Sequence, residues 1–186
     1  HADLANAYVA GASGLPFAVL RGYVGCDLPK VNPTIKSITC PFTGEQLAAV
    51  PAIRPDATVI HAQQADRRGN VMMWGITGVQ KEAALAAKRV IVTVEEIVDS
   101  FEVKVNAETL PSWVIDAVCV EPGGAYPSYA LGYNDRDNGF YKTWDAISRE
   151  RACFEAWMQR HVLGTKNFAE YSRSVAAEQI KEAVGA

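Results

Sequence analysis

Residues 56–71 read Asp-Ala-Thr-Val-Ile-His-Ala-Gln-Gln-Ala-Asp-Arg-Arg-Gly-Asn-Val. Residues 72–99 continue Met-Met-Trp-Gly-Ile-Thr-Gly-Val-Gln-Lys-Glu-Ala-Ala-Leu-Ala-Ala-Lys-Arg-Val-Ile-Val-Thr-Val-Glu-Glu-Ile-Val-Asp. The run 57–62 is apolar and rich in β-branched side chains, the pattern of a strand covered on both faces. Residues 63–70 are polar and carry the turn signal Gly69-Asn70, so a hairpin is expected there. Residues 71–74 predict a second short strand. Over 77–88, Val79, Ala83, Ala86 and Ala87 recur at helical spacing and predict a helix with a small-residue face suited to close packing on a sheet. Residues 90–94 predict a third apolar strand that ends in Glu95-Glu96. The unit is α/β, with its polar groups gathered at strand ends. In open α/β sheets, ligand crevices lie outside the carboxyl ends of the strands.

Outward from this unit, 3–9 predicts a short helix with Leu4, Tyr8 and Val9 on one face, and 18–23 a strand. Residues 26–33, rich in Gly and Pro, predict a loop. Residues 34–40 predict an extended piece, while 45–50 fit a helical turn or a strand equally. Residues 114–120 predict a fourth apolar strand, followed by the loop Glu121-Pro122-Gly123-Gly124-Ala125-Tyr126-Pro127-Ser128. Over 140–162, Tyr141, Trp144, Ile147, Arg151, Phe154, Trp157, Met158 and Val162 predict one long helix closed by Gly164. Asn167 is the expected N-cap of a last helix reaching about residue 184. The whole predicts an α/β fold: an open, largely parallel or mixed sheet covered by helices on both faces. Residues 1–186 form one domain in this reading, and 139–186 are its C-terminal helical extension.

The 186 residues, 49% hydrophobic and 21% charged, are enough for one domain with a sizeable core. The net charge of −3 and scattered basic residues argue against a nucleic-acid partner. No apolar run approaches the ~20 residues that cross a bilayer, so no membrane partner is expected. The start His1-Ala2-Asp3 has neither Met nor a basic leader. It reads as the start of a chain lacking its natural N-terminal part, cytoplasmic in location. Cys26, Cys40, Cys119 and Cys153 form no CxxC pair and read as buried free thiols of a reducing compartment. His1, His61 and His161 show no metal spacing, so no metal is expected.

Three polar clusters could carry chemistry. In the first (His61, Gln63, Gln64, Asp66, Arg67, Arg68, Asn70), side-chain amides could orient a carboxylate or thioester. The favoured reading is structural: Asp66 caps the turn, and His61 is a satisfied histidine at a strand end. In the second, Glu95 or Glu96 could act as base or nucleophile, but neighbouring strand residues point to opposite faces, so at most one faces a crevice. In the third, Gly123 and Gly124 let backbone N–H groups approach a ligand, and Tyr126 and Ser128 offer hydroxyls. No Walker loop and no G-x-S-x-G elbow is present.

Residues 60–71, Trp74-Gly75-Ile76-Thr77-Gly78-Val79-Gln80-Lys81-Glu82-Ala83-Ala84, the stretch 88–98, Pro122-Gly123-Gly124-Ala125 and 140–149 together resemble the A subunits of the class I coenzyme A transferases. The likeness is to the branch acting on glutaconate and 3-oxoadipate, and it runs from about residue 10 to 163. It implies an acyl-CoA:carboxylate CoA-transferase working on small dicarboxylic or 3-oxo acids, active only with a B subunit in a hetero-oligomer of α2β2 or larger. CoA thioester is then a substrate, with no permanently bound cofactor. The resemblance also implies a ping-pong cycle in which a glutamate of the B subunit carries the CoA. The Ser-Glu-Asn-Gly motif of that glutamate is absent here, as an A subunit requires. No catalytic residue is expected in this chain, and Gln63, Gly123, Gly124, Tyr126 and Ser128 are the candidate substrate contacts. Tyr126 stands where many relatives carry His. A related branch cleaves steroid-ring CoA thioesters with a glutamate upstream of a segment matching Gly14-Leu15-Pro16-Phe17. That branch, and a non-catalytic assembly module, are the alternatives.

Overall fold

A computed structural model describes residues 2–102 and 104–184. The chain forms two compact units, His1–Val120 and Glu121–Ala186.

The first unit opens with helix α1 (Ala2–Ala12) and strand β1 (Phe17–Leu20). The expected loop at 26–33 contains a short helix, α2 (Leu28–Val31), entered through Pro29, whose fixed φ suits a first turn. Strands β2 (Lys36–Thr39) and β3 (Gln46–Pro51) follow. Of residues 45–50, all but Glu45 are therefore strand. They lie between β1 and β2 in an antiparallel sheet of order β1-β3-β2. As the central strand, β3 is buried at Leu47, Ala48, Ala49 and Val50 in succession, which is why the run lacks a polar alternation. Ala7 and Ala10 of α1 pack on this sheet with Ala18, Leu20, Ile35, Ala48 and Val50.

The second sheet of this unit has the order β7-β5-β4-β6-β8. Its strands are β4 (Thr58–Asp66), β5 (Val71–Met73), β6 (Val90–Val98), β7 (Glu108–Leu110) and β8 (Ala117–Val120), with helix α3 (Gln80–Ala86) between β5 and β6. β4, β6 and β8 run parallel, while β5 is antiparallel to both β4 and β7, giving the mixed α/β sheet expected from the sequence. Thr58 donates its hydroxyl hydrogen to the Ala83 carbonyl (3.0 Å), tying β4 to α3.

Two boundaries differ from the sequence reading for one reason. The hairpin is there, but the polar residues Gln63 to Asp66 are the end of strand β4 and its turn is confined to 67–70, and Glu95-Glu96 lie within β6, not at its end. Gln64, Ala65 and Asp66 pair in register with Glu96, Ile97 and Val98, so ladder hydrogen bonds extend both strands past the point where their side chains turn polar. Within the sheet, Ile60, Ala62, Val90, Val92 and Val94 are buried, whereas Val59 and Ile91 on the other face are 67% and 38% exposed. The helix predicted over 77–88 is shorter: Gly78 takes a positive φ of 63°, and Ala87 leaves helical geometry at ψ 156°.

The second unit is helical: α4 (Asn138–Arg149), α5 (Arg151–Met158), a π-helical turn (Gln159–Leu163) and α6 (Phe168–Val184). The single helix expected over 140–162 is broken at Glu150, which is extended (φ −103°, ψ 121°). On a straight helix Trp144 and Trp157 would be about 20 Å apart. Folding back at Glu150 brings their rings to 4.9 Å, edge to face. Phe140 stacks on Trp144 (5.6 Å), and Trp157 meets Tyr171 (6.4 Å), so the aromatic stripe becomes the core of a helical cluster. Asn167 caps α6 as expected, accepting from the Glu170 N–H (3.0 Å), while Glu170 accepts in return from the Lys166 N–H (2.8 Å).

All four cysteines are free, but the burial expected of them is not general. Cys26 and Cys40 are half-buried, and Cys119 and Cys153 are exposed. Cys119 lies on edge strand β8, on the less covered face of its sheet.

Candidate functional site

The parallel register of β4 and β6 sets His61 beside Thr93, with Glu95 two residues further along the same face. His61 Nδ1 lies 2.8 Å from Thr93 Oγ1, and Nε2 lies 2.9 Å from Glu95 Oε1. The side chains of His61 and Glu95 are 14% and 4% exposed. An ionised carboxylate only accepts, so Nε2 carries a proton in this pair. Thr93 Oγ1 also approaches the Ile60 carbonyl (3.4 Å), fixing the hydroxyl that faces Nδ1. Glu96 faces the opposite way, as strand alternation requires, and accepts from Gln64 Nε2 (2.9 Å). The tempting pair of adjacent acids is thus split between two faces, each acid held by a partner from β4. Thr93 drew no attention in the sequence. Only the pairing of two distant strands brings it to His61.

Gln63 is 6% exposed. Its amide Nε2 donates to the Trp74 carbonyl (2.9 Å), and its Oε1 accepts from the Trp74 N–H (3.2 Å). Both ends of the amide therefore strap the β5 exit to β4. Trp74 in turn lies under the Lys104 ammonium, 5.6 Å from the ring centre.

The Ala-Asp-x-x-Gly-Asn core is a clasp. Asp66 Oδ1 accepts from the N–H groups of Arg68 (2.8 Å) and Asn70 (2.9 Å), and Oδ2 accepts from Asn70 Nδ2 (2.7 Å). Gly69 closes the turn at φ 83°. Asn70 Oδ1 then accepts from the Ser112 N–H (2.9 Å), joining the hairpin to the segment that leads into β8. Arg67 pairs with Asp99. Asp66 caps the turn, as its spacing suggests.

Desolvation pushes the Asp66 carboxyl up. The Asn70 side chain, the Asn70 and Arg68 N–H groups and the Arg68 charge together outweigh it and hold the group below its ordinary value. A depressed carboxylate adds stability above its unfolded value and loses it as pH falls through the folded one. Asp66→Asn should therefore unfold at lower urea than the parent at pH 7, with the gap narrowing as pH falls from about 4 through the depressed folded value, where the Asp66 carboxyl takes up its proton.

In the second unit, Gly123, Gly124, Tyr126 and Ser128 lie in a chain of tight turns. Gly124 N donates to Glu121 O (3.0 Å), Tyr126 N to Gly123 O (2.9 Å) and Ser128 N to Ala125 O (2.8 Å). Gly123 has φ 75°, and the Tyr126–Pro127 peptide is cis. The Tyr126 hydroxyl donates to Asp137 Oδ2 (2.8 Å), while Asp137 Oδ1 caps α4 through the Phe140 N–H (2.8 Å). Gly123 and Tyr126 line an open cleft of about 270 Å³ together with Phe168, Ser172 and Ala176 of α6. Gln63 belongs to the first unit and the other four candidate contacts to the second. Among the described residues no cluster of His, Cys, Asp and Glu could hold a metal ion, and no helix is long and apolar enough to cross a membrane.

A sequence profile of the coenzyme A transferase family matches residues 1–121, the span of the first unit. The chain is 67% identical over 176 residues to the A subunit of 3-oxoadipate CoA-transferase from Pseudomonas knackmussii, a match covering 95% of this chain and 62% of that protein. It is 28% identical to the cholesterol ring-cleaving hydrolase IpdA subunit of Mycobacterium tuberculosis, over 89% of this chain and 60% of that one. It superposes on the crystal structure of glutaconate coenzyme A-transferase from Acidaminococcus fermentans with a TM-score of 0.79 at 33% identity, covering 94% of this chain and 61% of that chain. The chain spans about six-tenths of the length of these relatives. With a family profile over most of its length and a shared fold at this identity, the chain belongs to the coenzyme A transferase family.

Proposed function

We propose that this chain is part of the A subunit of an acyl-CoA:carboxylate CoA-transferase acting on small dicarboxylic or 3-oxo acids. The observation that carries the reading is the 67% identity to the A subunit of a 3-oxoadipate CoA-transferase across 95% of the chain, against 28% to the ring-cleaving hydrolase. In this proposal CoA moves by a ping-pong cycle through a glutamate supplied by a B subunit. Attack of that carboxylate on the acyl-CoA thioester gives an acyl-glutamyl anhydride and free CoA thiolate. The thiolate then attacks the glutamyl carbonyl, releasing the carboxylic acid and leaving a glutamyl-CoA thioester.

The state of this chain's own acids supports a nucleophile from the partner. Glu95 is nearly buried against His61, and Glu96 is held by Gln64. A nucleophile needs an open approach to the thioester carbonyl. Glu95 in this chain has a hydrogen-bonded ring across one oxygen instead. The chain's contribution is then scaffold and wall: the Gln63 strap and the Asp66–Asn70 clasp hold the strand ends that such a site would face.

The test is to mix the full-length protein with its B subunit, supply an acyl-CoA and an isotopically labelled dicarboxylate, and follow label into new CoA thioester. Transfer of label is the expected result. Ring cleavage or hydrolysis without an acceptor acid, or no transfer across a panel of dicarboxylic and 3-oxo acids, would overturn the reading.

A further inference from the structure

The parallel strands β4, β6 and β8 are laid down in one direction across the five-stranded sheet. Right-handed crossovers between parallel strands added in one direction all fall on the same face. They do so here. Ala84 of α3, from the first crossover, belongs to the core cluster of Ile60, Ala62, Val90, Val92 and Val94, and Val114 and Ile115, from the second, pack against it. This winding leaves the opposite face to be covered by chain from elsewhere.

That face is open where the strands begin. Val59, Ile91 and Ala117 pair in register and form one apolar row across the three strands. Val59 is 67% and Ile91 38% exposed, and Ala117 is exposed as well. Two residues on, and so on the same face, the next row is His61, Thr93 and Cys119, of which Cys119 is exposed. Parallel strands are covered on both faces almost without exception, and what covers them is helix, because the crossovers between them are helical. An open apolar row on three such strands has the character of a seat for a further helix.

We propose, resting on the reading of this chain as part of an A subunit, that the row Val59–Ile91–Ala117 seats the apolar face of a helix from the part of the longer A subunit outside residues 1–186. The relatives carry chain enough for it. About four-tenths of the 3-oxoadipate CoA-transferase A subunit, and of the glutaconate CoA-transferase chain, lies outside the matched part. The position of the row speaks against a B subunit as its occupant. Val59 and Ile91 are the second residues of β4 and β6, and Ala117 is the first of β8. A shared site would lie outside the carboxyl ends of these strands. From Val59 to the carboxyl end of β4 at Asp66 is about 23 Å, so a subunit meeting that end does not thereby reach the row.

The test is maleimide labelling of the native full-length A subunit without B, with the Cys119 peptide followed by mass spectrometry against the same protein unfolded in urea. Cys119 should label more than about tenfold more slowly in the native protein, because a thiol beneath a docked helix reacts only when that helix opens. Val59→Thr keeps a β-branched residue in the strand and should lower the urea midpoint of the full-length protein, whereas at a position facing water it would leave the midpoint unchanged. Native labelling within about tenfold of the unfolded rate, or an unchanged midpoint, overturns the proposal. Protection that appears only when B is added gives the seat to the partner, and protection that fades on dilution gives it to a second copy. Either result also overturns the proposal. Labelling requires no transfer activity. A protected Cys119 in a protein that moves no CoA leaves the seat standing and sinks the transferase reading, and CoA transfer with an open Cys119 does the reverse.

Discussion

Truncating His61 to alanine is expected to cost about 3 kcal/mol of folding stability, the upper end of the cost of leaving a buried hydrogen-bonding group without its partner. The ring sits between Thr93 and Glu95 at 2.8 and 2.9 Å, and the Glu95 side chain is only 4% exposed, so water cannot readily replace the lost N–H. For a chain of this size that is a fall in Tm of roughly 10 °C. Glu95→Gln keeps an oxygen for Nε2 and should cost much less. The double variant His61→Ala/Glu95→Ala should lose less than the two single alanine variants added together, since they break one shared contact. Chemical denaturation of the four proteins measures this. A His61→Ala chain within about 1 kcal/mol of the parent would refute the buried pair. Glu95→Gln also separates two chemistries. CoA transfer by the assembled enzyme should survive within about tenfold if the nucleophile comes from the B subunit, and fall by more than about a thousandfold if Glu95 is itself the nucleophile.

The architecture was legible where apolar periodicity lasted. The strands beginning at Thr58 and Val90, the small-residue helix after Gly78 and the Asn167 cap all stand where the pattern put them. The errors share a cause. Polarity says where a side chain meets water, whereas a strand ends where its ladder partners end. β4 and β6 carry Gln64 and Glu96 side by side, the Gln64 amide donating to the Glu96 carboxylate, and the sequence of either strand alone reads as a strand stopping early. The break at Glu150 was hidden for a related reason. Apolar residues at helical spacing continue on both sides of it, and nothing local distinguishes one long helix from two that fold back to pair Trp144 with Trp157.

The candidate site was less legible. Asp66, Gly69 and Asn70 declared a turn, and the turn is there, but the sequence held no sign that Asn70 reaches across to Ser112. The His61–Thr93–Glu95 set depends on strand register, a long-range property. Asn134 and Asp135 lie between the 121–128 loop and the aromatic helix pattern and belong to no motif, and their relation to Gly123 and Phe168 comes from the fold of the second unit. Residues that a motif advertises turned out to be bound to their own backbone.

Gly11→Ala should be the other severe substitution, by about 3 kcal/mol or more. Gly11 lies in the last turn of α1, where the helix crosses the strand exit after β3. A Cβ placed there would lie 2.0 Å from the Ile53 carbonyl oxygen, 3.0 Å from its carbon and 3.3 Å from the Ala86 Cβ of α3. The first two are backbone atoms, so no rotamer change relieves the contact. Helix α1 would have to move by more than an ångström. That shift would break the hydrogen bond from the Ile53 N–H to the Ala7 carbonyl (3.0 Å) and loosen Ala7 and Ala10, 4% and 2% exposed, from the three-stranded sheet. Elsewhere in a helix the same substitution stabilises, because alanine loses less backbone entropy than glycine. The sign of the effect therefore tests the close approach itself. Ala12→Gly, one residue on and exposed, serves as the control and should cost no more than about 1 kcal/mol. Urea unfolding of the two variants decides it: a Gly11→Ala chain as stable as the parent would mean that α1 does not pass this close to Ile53 and α3.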